Sequence, residues 1–158
     1  MASQNDQNFA EAAMLIRKPT SEVFNSFIDP EITKNFWFTK GSGKLEQGKD
    51  ITWTWEMYNI SVPVHVKLVV PNEKIVIEWQ TPVTTVEFYF KTLSSGDTYV
   101  TIRHFGFDKT GDELLATIKD SVGGFTTVLD GLKAYLEYGV NLNLILDKYP
   151  EEVIHHGN

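Results

Sequence analysis

Cysteine is absent from this 158-residue chain. That excludes disulfides, thiolate nucleophiles, iron–sulfur clusters and Cys-ligated zinc. Positive charge is scarce: 14 Lys and Arg stand against 21 Asp and Glu, a formal charge of −7. That sign suits neither a phosphate backbone nor an anionic bilayer surface, so no nucleic-acid or membrane partner is expected. No run reaches about 18 apolar residues, the length a membrane span needs. The first twenty residues lack the basic-then-apolar order of a secretory signal, and a cytoplasmic protein is the expectation. Histidine is sparse, with four in all. His155 and His156 sit in a polar terminus, and His65 alternates with an apolar strand face and so points to solvent. A zinc site wants three or four ligands on a rigid frame, and none is legible, so neither metal nor cofactor is expected. Gly43-Lys44 lacks the upstream glycine of a phosphate loop, and no Gly-x-Ser-x-Gly elbow occurs. No catalytic residue is assigned.

What the chain has in excess is aromatic: ten Phe, six Tyr and four Trp, 13% of all residues. So many rings must fill a core, line a cavity, or do both. The length fits one domain over 1–158, with 1–8 polar and frayed. Phe9–Ile16 reads as a strand. Pro19-Thr20-Ser21-Glu22 starts a helix whose stripe is Val23, Phe24, Phe27 and Ile28, with a hydroxyl placed to cap the first turn. Asp29-Pro30 caps and starts a second short helix, running to about Phe36-Trp37.

After the turn Gly41-Ser42-Gly43 the period changes to two. Ile51, Trp53, Trp55 and Met57 alternate with polar neighbours, then Val62 through Val70, with Pro63 marking an edge or a strand end. Ile75–Trp79, Val86–Phe90 and Val100–His104 complete five strands at hairpin spacing, an antiparallel meander. The helical period returns over 112–138, where Leu115, Ile118, Val122, Phe125, Leu129, Leu132 and Leu136 form one face. Gly123-Gly124 inside it points to close approach of helix and sheet, and Gly139 to the helix end. Leu142, Ile145, Leu146 and Tyr149 suggest an extra C-terminal helix over 141–149. It could pack on its own sheet, cover a pocket mouth, or join a second subunit in a homodimer.

The layout is α+β: a curved antiparallel sheet of about six strands, wrapped around a long C-terminal helix, with two short helices between strands 1 and 2. It resembles the START-like, birch-pollen-allergen-like helix-grip superfamily. Within that, it resembles the small bacterial form of the family named for the activator of the heat-shock-protein-ninety ATPase. Five stretches carry the resemblance in order: Pro19–Phe24, Asp29-Pro30-Glu31 with Phe36-Trp37, Ile75–Trp79, Ile102–Phe107, and Gly124-Phe125 followed by Leu129–Leu136. The family usually places Trp where this chain has Phe24, Phe36 and Phe125. The resemblance implies a hollow between sheet and helix that takes small apolar or amphipathic molecules, and it implies no universal catalytic set. Family members include ligand carriers, cyclase-like enzymes, stress proteins and a co-chaperone domain, so fold alone does not choose among them.

His104 shares the inward face with Val100 and Ile102. It reads as a structural imidazole, as a polar anchor in an apolar pocket, or as a general base. Trp53, Trp55, Trp79, Phe88, Phe125 and Leu129 lie on apolar faces and are candidates to line the pocket, with ordinary core as the alternative. Phe36 and Trp37 stand where this fold opens its cavity. The leading expectation is a module binding a small apolar or amphipathic ligand, in stress response or transport. The alternatives are a cyclase- or hydrolase-type enzyme using His104, and a co-chaperone-like interaction module with a chaperone partner.

Overall fold

The period-two stretches form one antiparallel sheet. The computed structural model describes residues 8–156. Its strands are β1 (Ala10–Ile16), β2 (Lys40–Gly41), β3 (Asp50–Trp55), β4 (Ile60–Val70), β5 (Lys74–Trp79), β6 (Thr84–Thr92) and β7 (Thr98–Phe105). Their order across the sheet is β1-β7-β6-β5-β4-β3-β2. The meander runs outward from β7, and β1 closes the far side by pairing Ala10 with His104 and Ile16 with Thr98. The helices are α1 (Thr20–Ile28), α2 (Pro30–Thr33), α3 (Gly111–Tyr138), α4 (Leu144–Lys148) and α5 (Glu151–His156). This is the helix-grip arrangement, with seven strands rather than six. The additional strand, β2, pairs Lys40 and Gly41 with Thr54 and Trp53. Two residues carry no alternation, so nothing in the pattern marks them.

Three further expectations are corrected. Met57 does not continue β3, because the chain leaves the sheet after Trp55 into a 3-10 turn at Glu56–Tyr58, and Asn59 reverses it in the left-handed region (φ 53°). In β4 a register shift between Val66 and Leu68 moves the inward position from Leu68 and Val70 to Val69, which packs on the core. A bulge adds one residue on one strand and exchanges the faces beyond it. Pro63 marks an edge rather than a strand end: it lies inside β4, where 60–63 pair with β3 alone and pairing with β5 begins at Val64, so its missing N–H leaves no gap in that ladder. Thr20 is not a cap. Its hydroxyl lies 2.6 Å from that of Thr92 and 3.0 Å from that of Thr98, tying the start of α1 to the β6–β7 hairpin. Asp29 caps α2 as expected, accepting from the Glu31 amide at 3.0 Å with Pro30 at the first position.

The core lies between the inward rows of the sheet and one face of α3. Phe27, Phe36, Phe38, Trp53, Phe88, Leu129 and Leu132 are buried in it. Every buried residue of α3 falls at Phe125 or beyond, whereas Leu115 is 52% exposed. The long apolar face is therefore fully buried only in its C-terminal half, while the N-terminal half is more exposed and reaches the sheet through Ser121. Gly131 is where helix meets neighbour most closely: a Cβ there would stand 3.1 Å from Phe36 Cβ and 3.2 Å from its carbonyl oxygen. Gly131→Val should cost about 1–3 kcal/mol in a urea melt, because the crowding includes backbone and outweighs the helix propensity gained. Gly123 and Gly124 face something else. Their nearest outside neighbours are Lys148 and Tyr149 of the C-terminal segment, not the sheet. Gly139 ends α3 in the left-handed conformation (φ 68°), as read from sequence. α5 has no counterpart in the sequence reading.

Candidate ligand cleft

A gap of about 640 Å³ opens between the sheet and the middle of α3, where burial of the helix gives way to exposure. The sheet end supplies one side through the last inward residues of four strands: Trp55 on β3, Trp79 on β5, Thr84 on β6 and His104 on β7. α3 supplies the other through Ser121, Phe125 and Val128, at i, i+4 and i+7. Trp37, delivered by the turn after α2, forms the floor with Trp79 and Phe125. It meets them edge-on at 5.8 and 5.7 Å between ring centroids. Trp53 backs Trp37 at 4.8 Å and in turn stacks on Phe38 at 4.8 Å.

His104 is 3% exposed and fully engaged. Its Nδ1 lies 2.8 Å from Ser121 Oγ and its Nε2 lies 2.7 Å from Thr84 Oγ1, while Trp79 Nε1 approaches Nε2 at 3.4 Å. An indole N–H can only donate, so Nε2 is the acceptor and the imidazole proton sits on Nδ1, donated to Ser121. Thr84 can donate to Nε2 or to Gln80 Oε1, which is 2.9 Å away. Burial lowers the imidazole from 6.5 to about 4, so it is neutral at physiological pH. Ser121 and His104 have the separation of a nucleophile and its base, yet the proton lies on the nitrogen facing the serine. That tautomer cannot accept the serine proton there. None of the three partners of His104 titrates near neutral pH.

The rim is polar. It carries Asp108, Lys109 and Asp120. Lys109 Nζ is occupied by Thr117 Oγ1 at 3.2 Å, with Glu113 at 4.0 Å. Tyr58 and Tyr149 stand at the outer wall. Burial, and then the Asp120 carboxylate, push the Tyr149 phenol above 10. Among the described residues no group of His, Asp and Glu is arranged to hold a metal ion, and no helix is long and apolar enough to cross a membrane.

Five of the nine residues singled out from sequence line this cleft: Trp37, Trp55, Trp79, His104 and Phe125. The other four lie behind its walls in packed core. Trp53, Phe88 and Leu129 are at most 1% exposed, and Phe36 presses on Gly131. Sequence reasoning passed over Thr84, Ser121, Phe107 and Tyr58, whereas Tyr149 belongs to the C-terminal segment for which covering a pocket mouth is one of the sequence expectations. Thr84 was findable, since it sits two residues before Val86 on the inward face of β6. So was Ser121, four residues before Phe125.

Residues 17–137 match the sequence profile of the activator of Hsp90 ATPase homolog 1-like proteins. The chain belongs to this family. Protein SSP2350 from Staphylococcus saprophyticus is similar at 30% identity, over 85% of this chain and 95% of its own, with a TM-score of 0.76. The Aha1 dimer from Colwellia psychrerythraea shares the fold at 18% identity, over 83% of this chain and 97% of its own, with a TM-score of 0.69. DynU16, described as a putative protein in the dynemicin biosynthetic locus, shares it at 16% identity, over 85% of this chain and 49% of its own, with a TM-score of 0.76. No curated protein sequence matches the chain. The match to the family stops before the end of α3, so α4, α5 and Tyr149 lie outside it.

Proposed function

We propose that the protein binds a small, flat, amphipathic molecule in the cleft between sheet and α3, as a cytoplasmic carrier or sensor without catalysis of its own. The observation that carries this is the cleft itself: about 640 Å³, floored by Trp37, Trp79 and Phe125, with Thr84, His104 and Ser121 and the charged Asp108, Lys109 and Asp120 among its lining. That is the size and polarity of a small-molecule site. Rings on the floor stack on a flat apolar body, and a few placed hydroxyls fix its orientation. The imidazole acts as a frame that holds Ser121 and Thr84 in position.

The rim also selects charge. Asp108 and Asp120 contribute two carboxylates against the single positive charge of Lys109, whose nearest carboxylate is Glu113 at 4.0 Å, and burial keeps His104 neutral at physiological pH. A ligand carboxylate or sulfonate would meet net negative charge at an exposed rim, an effect that salt screens. The ligand's polar end is therefore neutral or cationic.

Two naphthalene fluorophores test both statements. Prodan is neutral and 8-anilino-1-naphthalenesulfonate is anionic. Prodan should bind with a Kd of about 10–100 µM, as expected for its size, shift its emission to the blue and quench the cleft tryptophans. The sulfonate should bind at least about 5-fold more weakly. No prodan binding at millimolar protein would overturn the ligand-site reading, and tighter binding of the sulfonate would overturn the charge selection.

A further inference from the structure

The chain beyond the family match returns to the cleft. Gly139 ends α3 with φ 68°, and Asn143, at φ 55°, turns the chain again so that α4 meets the 3-10 turn at Glu56–Tyr58. The contact is specific: Tyr58 donates its hydroxyl proton to the Tyr149 carbonyl at 2.5 Å, and the Ile145 carbonyl lies 3.3 Å from the same oxygen. Ile145 packs on the core from the inner side of α4, while Leu146 on the helix and Leu142 just before it stay exposed. Tyr149 crosses α3 at the glycine pair. A Cβ on Gly124 would stand 3.5 Å from Tyr149 Oη, and one on Gly123 would stand 3.6 Å from Lys148 Nζ. Longer side chains at those positions would occupy the space the segment uses. A helix of five residues cannot sustain itself, so its place depends on these contacts.

Ile145 and Tyr149 both line the cleft. We infer that α4 with Tyr149 is a hinged strap supplying the outer wall of the cleft, that the Tyr58 hydroxyl pins it, and that Ile145 and Tyr149 determine which ligands are retained. The inference rests on the reading of the cleft as a ligand site and adds to it the element that governs access. A relative lacking this segment would present the same floor with one side open.

Two variants of the full chain test it. Tyr58→Phe keeps the ring and removes only the pin. Tyr149→Ala removes the wall. Tyr58→Phe should accelerate amide hydrogen exchange over 144–149 by about 2–10-fold, the range one net hydrogen bond commands, and leave β5–β7 unchanged. Both variants should make the cleft tryptophans more open to acrylamide quenching, a readout that needs no ligand. Prodan should leave Tyr58→Phe about 2–10-fold faster than wild type and bind Tyr149→Ala more weakly. Unchanged quenching and exchange in Tyr58→Phe would overturn the strap. Wild-type prodan binding left unaltered in both variants would overturn its part in the site while leaving the ligand reading intact. Failure of wild type to bind prodan strikes the ligand reading, and exchange and quenching then decide the strap by themselves. Should Tyr149→Ala fail to fold, Tyr58→Phe carries every arm.

Discussion

Leu129→Ala should lower folding stability by about 3–5 kcal/mol in a urea titration, among the largest losses any single side chain here can cause. Leu129 is wholly buried on α3, within the stretch from Phe125 to Leu132 where the helix is pressed to the sheet. Removing its isopropyl group takes contacts from a site with no exposure that lies outside the cleft lining. The walls are a long helix and a hydrogen-bonded sheet, which cannot close inward to recover them. Val128 offers the internal contrast. It is also buried but faces the cleft, so space already lies on one side of it. Val128→Ala should cost clearly less and alter prodan binding, whereas Leu129→Ala should leave prodan affinity unchanged under conditions where the variant is folded. A loss below about 1.5 kcal/mol for Leu129→Ala would mean that the hollow extends under the C-terminal half of the helix.

That contrast marks where sequence pattern stops being informative. Alternation tells inside from outside, and by that measure Trp53 and Trp55 are the same residue twice. Depth along the strand separates them: Trp53 sits mid-strand over Phe38, and Trp55 sits at the end where the chain leaves the sheet. Period carries no information about where a strand ends relative to a helix on another layer. The same holds for α3. Its apolar face is continuous from Leu115 to Leu136, yet only half of it is covered, because coverage depends on how far the sheet reaches. The run Leu68-Val69-Val70 has no polar residue to set its phase, so the bulge before it was invisible. Gly123-Gly124 signalled a close approach correctly and misled about the partner, since a missing Cβ shows that something comes near and not what it is. His104 was the most legible residue. Its inward position follows from alternation alone, whereas its partner Thr84 comes from the neighbouring strand β6 and its partner Ser121 from a different layer.

His104 should also make the fold sensitive to mild acid. Burial holds its folded pKa at about 4, while the unfolded chain titrates near 6.5. Between those values the unfolded chain binds a proton that the folded chain does not, so stability rises with pH across the window. The contribution is complete above about pH 6.5 and is lost as pH falls toward 4. The gap corresponds to about 3 kcal/mol. Glu137 does not blur this window. Burial raises its carboxyl, but the Arg17 amide and Lys133 outweigh that and hold it below 4.5, so its own loss comes at lower pH. Urea melts from pH 7 to 4.5 should show the slope in wild type. His104→Gln, which cannot titrate but can still donate and accept, should flatten it. His104→Leu should flatten it too and cost a further 1–3 kcal/mol or so at pH 7, because Ser121, Thr84 and the Trp79 indole lose their common partner in a buried site. Protonating Nε2 also turns an acceptor into a donor directly opposite the Trp79 N–H, so the two repel and the cleft floor must shift. Trp79 fluorescence in the folded chain should therefore change around pH 4, where the folded imidazole protonates, below most of the window in which stability falls. Wild-type stability that stays level from pH 7 to 4.5 would show that water reaches the imidazole and that the cleft is wetter at its base than the packing around His104 implies.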